Sequence, residues 1–273
     1  MSEKRRDSFQ RPPVIETVLG IQFNPIRGLT NAHLGAYWNS LGSEWPEVED
    51  SPILSEQFEE FGERKFFPGA INLKFSQEPL CRLRIQKADY SRMIQVQNSR
   101  FHYNWLGRSG EDYPRYSTVR PEFNQELLKF KAFLKKSNIG DLEPNQWEIT
   151  YVNHIKRGTV WQTPEDWSRV FTRFPMPFTT TDERIQLANP SGNWRFEIVP
   201  KQGRLHVELQ HGRLGSTDGE EAFVLKLTAR GPLDQELPAS EALNKGLDLG
   251  HDTIVDAFCD FTTEESHQYW STT

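Results

Sequence analysis

The chain has 273 residues, of which 36% are hydrophobic, 26% charged and 12% aromatic. This composition excludes an intrinsically disordered chain, because it supplies enough large apolar side chains for one large domain or two smaller ones. The formal net charge of −6 excludes a polycation that coats nucleic acid or anionic membranes without selection, so any such role requires a local basic patch.

The cysteines and the first residues bear on the cellular compartment. Cys81 and Cys259 lie far apart, which excludes a disulfide scaffold, a Cys-rich zinc module and an iron–sulfur cluster and favours a reducing cytoplasm. The chain begins with charged residues that lead to Pro12-Pro13, and no run of residues is long and apolar enough to span a membrane. We therefore expect a cytoplasmic protein without membrane contact, with residues 1–12 forming a mobile arm.

The first half of the chain predicts a strand, a helix, further strands and a second helix. Residues 17–23 alternate with period two, and helical spacing from Leu34 to Trp45 then predicts a helix that ends at Pro46. Around Leu83 the alternation of apolar and basic side chains is typical of an antiparallel strand with one packed face. An apolar stripe over Pro121–Ser137 predicts the closing helix.

The second half predicts the same succession. A strand around Ile149 is followed by a helix with Thr163 as N-cap, Pro164 at its first position and Asp166 three residues after the cap. Further alternating strands precede a closing helix over Leu247–Asp260. The side chains that the first helix of this half is predicted to bury are Trp167, Val170, Phe171 and Phe174. A capping box from Thr262 to Glu265 predicts one more short helix.

The two halves repeat at an offset of about 130 residues. Trp38 recurs at Trp167, and the strand that contains Thr17 recurs at Trp147. The predicted fold is therefore α+β, built from two tandem strand–helix–antiparallel strands–helix repeats over residues 13–142 and 143–273. We expect a pseudo-twofold, saddle-like sheet with the helices on one face.

The first half is electrically polarised. Residues 44–63 contain eight acidic and no basic side chains, whereas residues 80–108 contain six basic side chains and the single acid Asp89. A solvated strand face beside a solvated acidic loop is the favoured interpretation, and a binding surface is the alternative. The candidate binding face comprises Arg82, Arg84, Arg92, Gln95, Gln97, Arg100, His102 and Asn104. Nucleic-acid recognition through it requires its arginines to share one face.

The sequence contains no established catalytic motif. There is no Walker-type phosphate loop and no Gly-x-Ser-x-Gly elbow, so we expect no nucleotide cofactor and assign no catalytic residue. His206 and Glu208 lie two residues apart with His211 just beyond, but an ordinary polar strand face explains them better than a metal site.

Three polar residues form a candidate pocket. His251 lies on the predicted buried stripe of the last helix, where Gly250 allows a close backbone approach, and a hydrogen-bonded core histidine is its favoured interpretation. Asn153 interrupts an otherwise apolar strand face, which favours a structural hydrogen bond to a neighbouring loop over a ligand contact. A buried pocket that joins both residues to Tyr113 would favour an enzyme.

Several segments together resemble a sporadically distributed bacterial family of proteins of about 250 residues with no assigned activity. The segments are Arg11–Glu16, Asn104-Trp105, Tyr113–Tyr116, Tyr151–Ile155 and Leu249–Trp270. Nearly the whole chain is covered, although Ser271 stands where a glycine usually follows the tryptophan. The resemblance implies a cytoplasmic, patchily inherited bacterial protein, as accessory proteins of defence or toxin–antitoxin loci often are, and it implies no catalytic residue.

These observations support three hypotheses. The first is a non-enzymatic binding or regulatory protein that recognises a protein partner, as an accessory of a bacterial defence or toxin–antitoxin locus. The second is nucleic-acid binding through the basic outer sheet face of the first repeat, and the third is an enzyme of unrecognised type.

Overall fold

The computed structural model describes residues 9–61, 80–107, 112–174, 182, 184–185, 187–215 and 219–271. Within them the chain forms nine strands and five α-helices. The elements are β1 (Val14–Phe23), α1 (Asn31–Leu41), β2 (Glu47–Pro52), β3 (Cys81–Gln86), β4 (Arg92–Gln97), β5 (Arg100–Leu106), α2 (Tyr116–Lys136), β6 (Pro144–Lys156), α3 (Trp167–Val170), β7 (Ser191–Ile198), β8 (Gly203–Arg213), β9 (Glu221–Pro232), α4 (Ala239–Phe261) and α5 (Glu264–Ser271).

The strands form one antiparallel sheet in the order β2-β3-β4-β5-β1-β6-β9-β8-β7. The α+β class predicted from the sequence is confirmed. Strands from residues 13–142 and from residues 143–273 meet at the pairing of β1 with β6, so both segments contribute to the same sheet.

The sheet has an apolar face and a polar face. Alternate residues of each central strand, such as Leu19, Ile149 and Leu227, are completely buried on the apolar face, where α1, α2 and α4 contact the strands. The alternation predicted for the middle strands is confirmed in β3. Leu83 and Ile85 are buried, whereas Arg82 and Arg84, which alternate with them along the strand, are less buried. We call the opposite side of the sheet the polar face.

Helix α4 approaches the sheet closely through two glycines. A Cβ atom at Gly246 would lie 2.2 Å from Cδ1 of Trp147, and one at Gly250 would lie 2.5 Å from Cγ2 of Ile149. The close approach predicted at Gly250 is confirmed, because any larger side chain would collide with β6.

Several predicted helix ends were wrong. α1 ends at Leu41 rather than at Pro46, because Gly42 leaves the helix at a φ of +78°. Trp45 is nevertheless buried, and its carbonyl accepts a hydrogen bond from the Trp38 indole at 2.9 Å. α2 and α4 both begin earlier than predicted, at Tyr116 and at Ala239. Val119 in α2 and Ala242 in α4 are buried, so the additional first turns extend the same buried stripes.

The start of the second-half helix is confirmed, but its length was wrong. Thr163 and Asp166 form the predicted capping box around Pro164. Only a short 3-10 turn and the four residues of α3 follow, since Phe171 is already extended and bridges to Thr262. The side chains predicted to be buried, Trp167, Val170, Phe171 and Phe174, are all buried.

The final short helix exists, one residue later than its predicted cap. The Thr263 hydroxyl, not that of Thr262, accepts the hydrogen bond from the Ser266 amide at 3.2 Å. Thr262 instead donates its hydroxyl to the Phe258 carbonyl at the end of α4.

The predicted mobile arm lies in part outside the described residues, since it included residues 1–8. Of the remainder, Phe9 is docked: only 5% of it is exposed, and its ring centroid lies 5.7 Å from that of Trp270. The Arg11 amide also donates to the Trp270 carbonyl at 2.9 Å. An aromatic side chain thus connects this part of the chain to α5, while Gln10 and Arg11 are exposed.

Replacing Trp167 by Ala tests the packing of α3 against β9. The indole is 2% exposed and packs edge-on against Phe223, so we expect its removal to lower the free energy of unfolding by about 3–5 kcal/mol. Urea denaturation of Trp167→Ala and of the neighbouring exposed Ser168→Ala provides the measurement. The serine variant should stay within about 0.5 kcal/mol of the parent protein, and equal stabilities of the two variants would contradict this packing.

Candidate functional site

Nine residues, one from each strand, form a row across the polar face. Each is the register partner of the next, and all except a central glycine carry a polar side chain. From β2 to β7 the row is Glu49, Arg84, Gln95, His102, Gly20, Glu148, Arg230, Arg204 and Glu197.

Gly20 lets His102 lie across the centre of the sheet. A Cβ atom at Gly20 would be 2.4 Å from Cδ2 of His102, so only glycine leaves space for the imidazole ring. The ring thereby reaches across β1, with Nε2 3.7 Å from Oε1 of Glu148 on β6. Burial lowers the pKa of His102 to about 4 despite the nearby carboxylate, so the imidazole is neutral at pH 7.

Glu148 is ionised although it is buried. Burial by itself favours the protonated acid, but His102, Arg100 and Arg230 together lower its pKa below the ordinary value. Because His102 is neutral at pH 7, the two arginines are the cations that hold this carboxylate ionised at that pH. Their nitrogens lie 3.5 Å and 3.2 Å from Oε2 of Glu148.

An acidic segment of the chain, residues 53–61, lies on the polar face, and we call it the acidic strap. Side chains of the sheet form hydrogen bonds with the backbone of the strap, as the backbone of a neighbouring strand would. The Gln97 amide both accepts from the Leu54 N–H and donates to the Leu54 carbonyl, each at 2.9 Å. Gln22 accepts from the Gln57 N–H at 2.8 Å, and Arg100 donates to the Ser55 carbonyl at 2.8 Å.

Glu59 anchors the strap in a cluster of basic side chains from β8 and β9. Its carboxylate lies 2.9 Å from Arg204, 2.6 Å from His206 and 2.6 Å from Arg230, and its side chain is 5% exposed. Burial raises the pKa of this carboxyl group, but the hydrogen bonds from His206, Arg230 and Arg204 outweigh that effect and lower the pKa to about 2. Glu59 is therefore ionised at pH 7.

An open pocket of about 630 Å³ remains beside the strap, and we call it the polar pocket. Its charged lining is more basic than acidic, with Arg82, Arg100, Arg195, Lys226 and Arg230 against Glu16, Glu148 and Glu208. Three buried nitrogens of this lining have no hydrogen-bond partner among the described residues: Nε of Arg82, Nε of Arg100 and Nε2 of His102. Buried polar atoms without a partner are costly, so these groups favour a polar ligand.

Seven of the eight residues of the candidate binding face lie on the polar face. They are Arg82, Arg84, Gln95, Gln97, Arg100, His102 and Asn104. The interpretation as a solvated face was wrong for the last four, which are at most 5% exposed. The strap contacts Gln97 and Arg100, whereas His102 and Asn104 line the polar pocket. There the Asn104 amide donates a hydrogen bond to Glu16 at 2.6 Å.

Arg92 does not belong to this group. Its side chain points to the helix side of the sheet, where Nε donates to Glu122 of α2 at 2.7 Å. Tyr103 donates to the same carboxylate at 2.8 Å. The condition that the basic residues share one face therefore fails for Arg92, whose partner is structural.

Sequence reasoning missed Glu59, Arg204 and Arg230 as members of a site. Both arginines alternate with apolar residues along β8 and β9, a pattern that indicates the outward side of a strand, and Glu59 lies in the acidic run of residues 44–63. Their meeting depends on residues more than a hundred positions apart, for which a single sequence holds no signal.

The candidate residues Tyr113, Asn153 and His251 do line one pocket, on the opposite side of the sheet. A buried pocket of these three residues was expected to favour an enzyme, and the pocket observed is open rather than buried. Tyr113 donates to the Tyr151 hydroxyl at 2.9 Å, and that hydroxyl lies 2.8 Å from Nδ1 of His251. The Asn153 amide donates to the Leu225 carbonyl at 3.1 Å, so its structural partner is the neighbouring strand β9 rather than a loop.

Among the described residues, no group of three or more His, Cys, Asp or Glu side chains could hold a metal ion. His206 and His211 instead pair with Glu59 and Glu221. No helix within that part of the chain is both long and apolar enough to span a bilayer. Comparisons with protein-family models, with curated proteins and with solved structures found no match.

Replacing Glu59 by Gln tests the anchor of the strap. The variant leaves the basic groups of Arg204 and Arg230 without this counter-charge, so we expect the free energy of unfolding at pH 7 to fall by about 1–3 kcal/mol. Glu60→Gln is the matched control, because Glu60 is exposed and binds Arg204 through its backbone carbonyl, which the substitution retains. A similar loss in both variants, measured by urea denaturation, would show that the carboxylate of Glu59 is not the anchor.

The same residue predicts a dependence of stability on pH. Its pKa is about 2 in the folded protein and 4.5 ordinarily, so the unfolded chain binds the proton more tightly. The stabilisation by Glu59 is therefore complete above pH 4.5 and is lost as the pH falls towards 2. Thermal melts across this window should show a steeper loss for the parent protein than for Glu59→Gln, and parallel curves would contradict the lowered pKa.

Proposed function

We propose that the protein is a non-enzymatic binding or regulatory protein that recognises an extended acidic segment of a protein partner in the polar pocket. The observation that carries the proposal is the seating of the acidic strap. The polar face already holds a peptide segment, with Gln97 and Gln22 bound to its backbone and basic residues bound to its carboxylate. These are the groups that an extended acidic peptide requires.

The open part of the polar face offers the same chemistry to a second segment. Arg82 and Arg100 each hold a buried Nε without a partner among the described residues, and both line the polar pocket. Burial lowers the pKa of Arg82, and repulsion first from Arg84 and then from Arg100 lowers it further. A carboxylate of the partner placed between Arg82 and Arg100 would accept hydrogen bonds from both and relieve their repulsion.

The structure weakens the nucleic-acid alternative. Arg92 lies on the other face, and Arg84 is paired with Glu49 at 3.1 Å. Phosphate binding requires basic side chains that are free to neutralise the backbone. Oligonucleotide binding is therefore an outcome that the experiment below must distinguish.

We also propose that the two halves arose by duplication and form a pseudo-twofold, saddle-like unit. Supporting this, the strand order outward from the central pair is β1-β5-β4-β3 in one direction and β6-β9-β8-β7 in the other, with β2 as an additional edge strand beyond β3. A long helix, α2 or α4, follows the last strand of each half. The proposed function includes three further points. The protein belongs to the bacterial family that it resembles, it lies in the cytoplasm, and it is an accessory of a defence or toxin–antitoxin locus.

A pair of synthetic peptides tests the proposed function. Fluorescence anisotropy should show that a labelled peptide of alternating Glu and Ser binds more tightly than the same peptide with Gln in place of Glu. Arg82→Gln should weaken the binding of the acidic peptide by about tenfold, which corresponds to about 1.4 kcal/mol. The matched control is Arg84→Gln, which removes the same charge from the same strand outside the pocket lining and should change the affinity little.

Two outcomes would overturn the proposal. Equal losses in the two arginine variants would mean that general charge attraction, not the polar pocket, holds the peptide. A single-stranded oligonucleotide that binds more tightly than the acidic peptide and competes with it would establish the nucleic-acid alternative instead.

A further inference from the structure

A second cavity, of about 390 Å³, lies on the helix side of the sheet, and we call it the aromatic pocket. The ends of β1 and β6, the start of α2, the middle of α4 and residues 9–12 surround it. Its volume is in the range of small-molecule sites. The polar pocket is lined by other residues on the opposite face of the sheet, so the two cavities are independent.

We propose that the aromatic pocket binds a small, largely apolar carboxylic acid, with the carboxylate at Arg115 and the apolar body among Phe9, Val14, Ile254 and Phe258.

The walls of the pocket favour an apolar body. Phe9, Val14, Ile254 and Phe258 are each at most 8% exposed in the folded chain, and they present aliphatic and aromatic surface to the cavity. Water in such a cavity finds few hydrogen-bond partners, so an apolar group that displaces it gains free energy.

The polar lining is arranged as a fixed chain of hydrogen bonds. The Tyr113 hydroxyl donates a hydrogen bond to the Tyr151 hydroxyl, which in turn is hydrogen-bonded to Nδ1 of His251. Tyr116 stacks on the His251 ring at a centroid distance of 4.0 Å and an angle of 4°, which holds the imidazole in place. Burial raises the pKa of Tyr113 to about 12, so this phenol is neutral at pH 7 and does not repel an anion.

Charge selects an acid rather than a base. The described lining contains one guanidinium, that of Arg115, and no Asp or Glu side chain. A cationic ligand would therefore enter without a counter-charge, whereas a carboxylate can form a charge-assisted pair with Arg115. The guanidinium lies 5.6 Å from the centre of the Tyr113 ring, next to the hydrogen-bonded chain.

The backbone of Arg115 is strained in a way that fixes this side chain. Its φ of +70° and ψ of +158° fall in a region that residues other than glycine rarely adopt, at a cost of about 1–3 kcal/mol. The conformation directs one guanidinium nitrogen to the Phe9 carbonyl, so the same arginine holds the arm that walls the pocket. Strain retained at a pocket rim is typical of a preorganised ligand contact.

Three probes with one shared body separate the contributions of apolar burial and charge. They are 4-methylbenzoate, 4-methylphenol and 4-methylbenzylamine, each titrated into the full chain by calorimetry and checked by saturation-transfer NMR. We expect 4-methylbenzoate to bind at least about tenfold more tightly than 4-methylphenol, because a hydrogen bond to a charged group adds about 1.5–3 kcal/mol. The amine should bind most weakly.

Variants assign the binding to this cavity. Arg115→Gln should remove the preference for 4-methylbenzoate over 4-methylphenol, so that the two probes bind with similar affinity. Val255→Trp should fill the cavity and abolish binding of all three probes, while the acidic peptide of the proposed function still binds at the polar pocket. The matched control is Arg27→Gln, since Arg27 is exposed and follows the far end of β1.

The proposal is overturned if 4-methylphenol or the amine binds as tightly as 4-methylbenzoate, if Arg27→Gln weakens the acid as much as Arg115→Gln, or if Val255→Trp leaves binding intact. Absence of binding by all three probes to the folded parent protein would overturn it as well. Far-ultraviolet circular dichroism of each variant establishes that the variants are folded, so a lost signal reports on the pocket.

Discussion

The register of the central β1–β6 pair places the groups of both pockets. It sets Gly20 opposite Glu148, while the pairing with β5 sets the same glycine opposite His102, so a histidine and a carboxylate meet across a residue without a side chain. At the end of the same pair, Val14 lies opposite Asn153 and forms a wall of the aromatic pocket. A shift by one residue would turn every side chain of one strand to the other face and remove both arrangements.

The polar face buries charge, and it does so only because the charges are paired. An isolated carboxylate in the place of Glu148 or Glu59 would be protonated, since desolvation opposes ionisation in both cases. Arg100, Arg204 and Arg230 compensate that cost. The acidic strap is thus an integral part of the fold, because its Glu59 carboxylate pairs with Arg204 and shares Arg230 with Glu148.

The two pockets are chemically opposite although they share strands. The polar pocket presents guanidinium, imidazole and amide groups around carboxylates, whereas the aromatic pocket presents aliphatic and aromatic walls with one guanidinium at Arg115. This contrast follows from the alternation of side chains along β1 and β6, which directs neighbouring residues to opposite faces. One sheet can therefore support two ligand classes without overlap between their sites.

Local periodicity in the sequence determined which side chains face the core. It placed Leu83 and Leu205 inside, and it also contained the information that Arg92 shares the face of Ile94 and Val96, since all three lie two residues apart. The capping pattern at Thr163 likewise marked the start of a helix, because a cap depends on neighbours within one turn. The end of α1 was not predicted, since the spacing of apolar residues does not reveal the backbone conformation of Gly42.

Only the tertiary structure decided which surfaces meet. The sequence displayed an acidic run and outward-facing basic residues, yet nothing in it joined Glu59 to Arg204 and Arg230, and four residues of the face predicted to be solvated are buried. It did single out Tyr113, Asn153 and His251, because polar residues on apolar stripes are conspicuous, but not the tyrosine chain that connects two of them. Periodicity fixes the direction of a side chain relative to its own strand or helix, whereas its partners depend on strand order and register, which arise from contacts between distant residues.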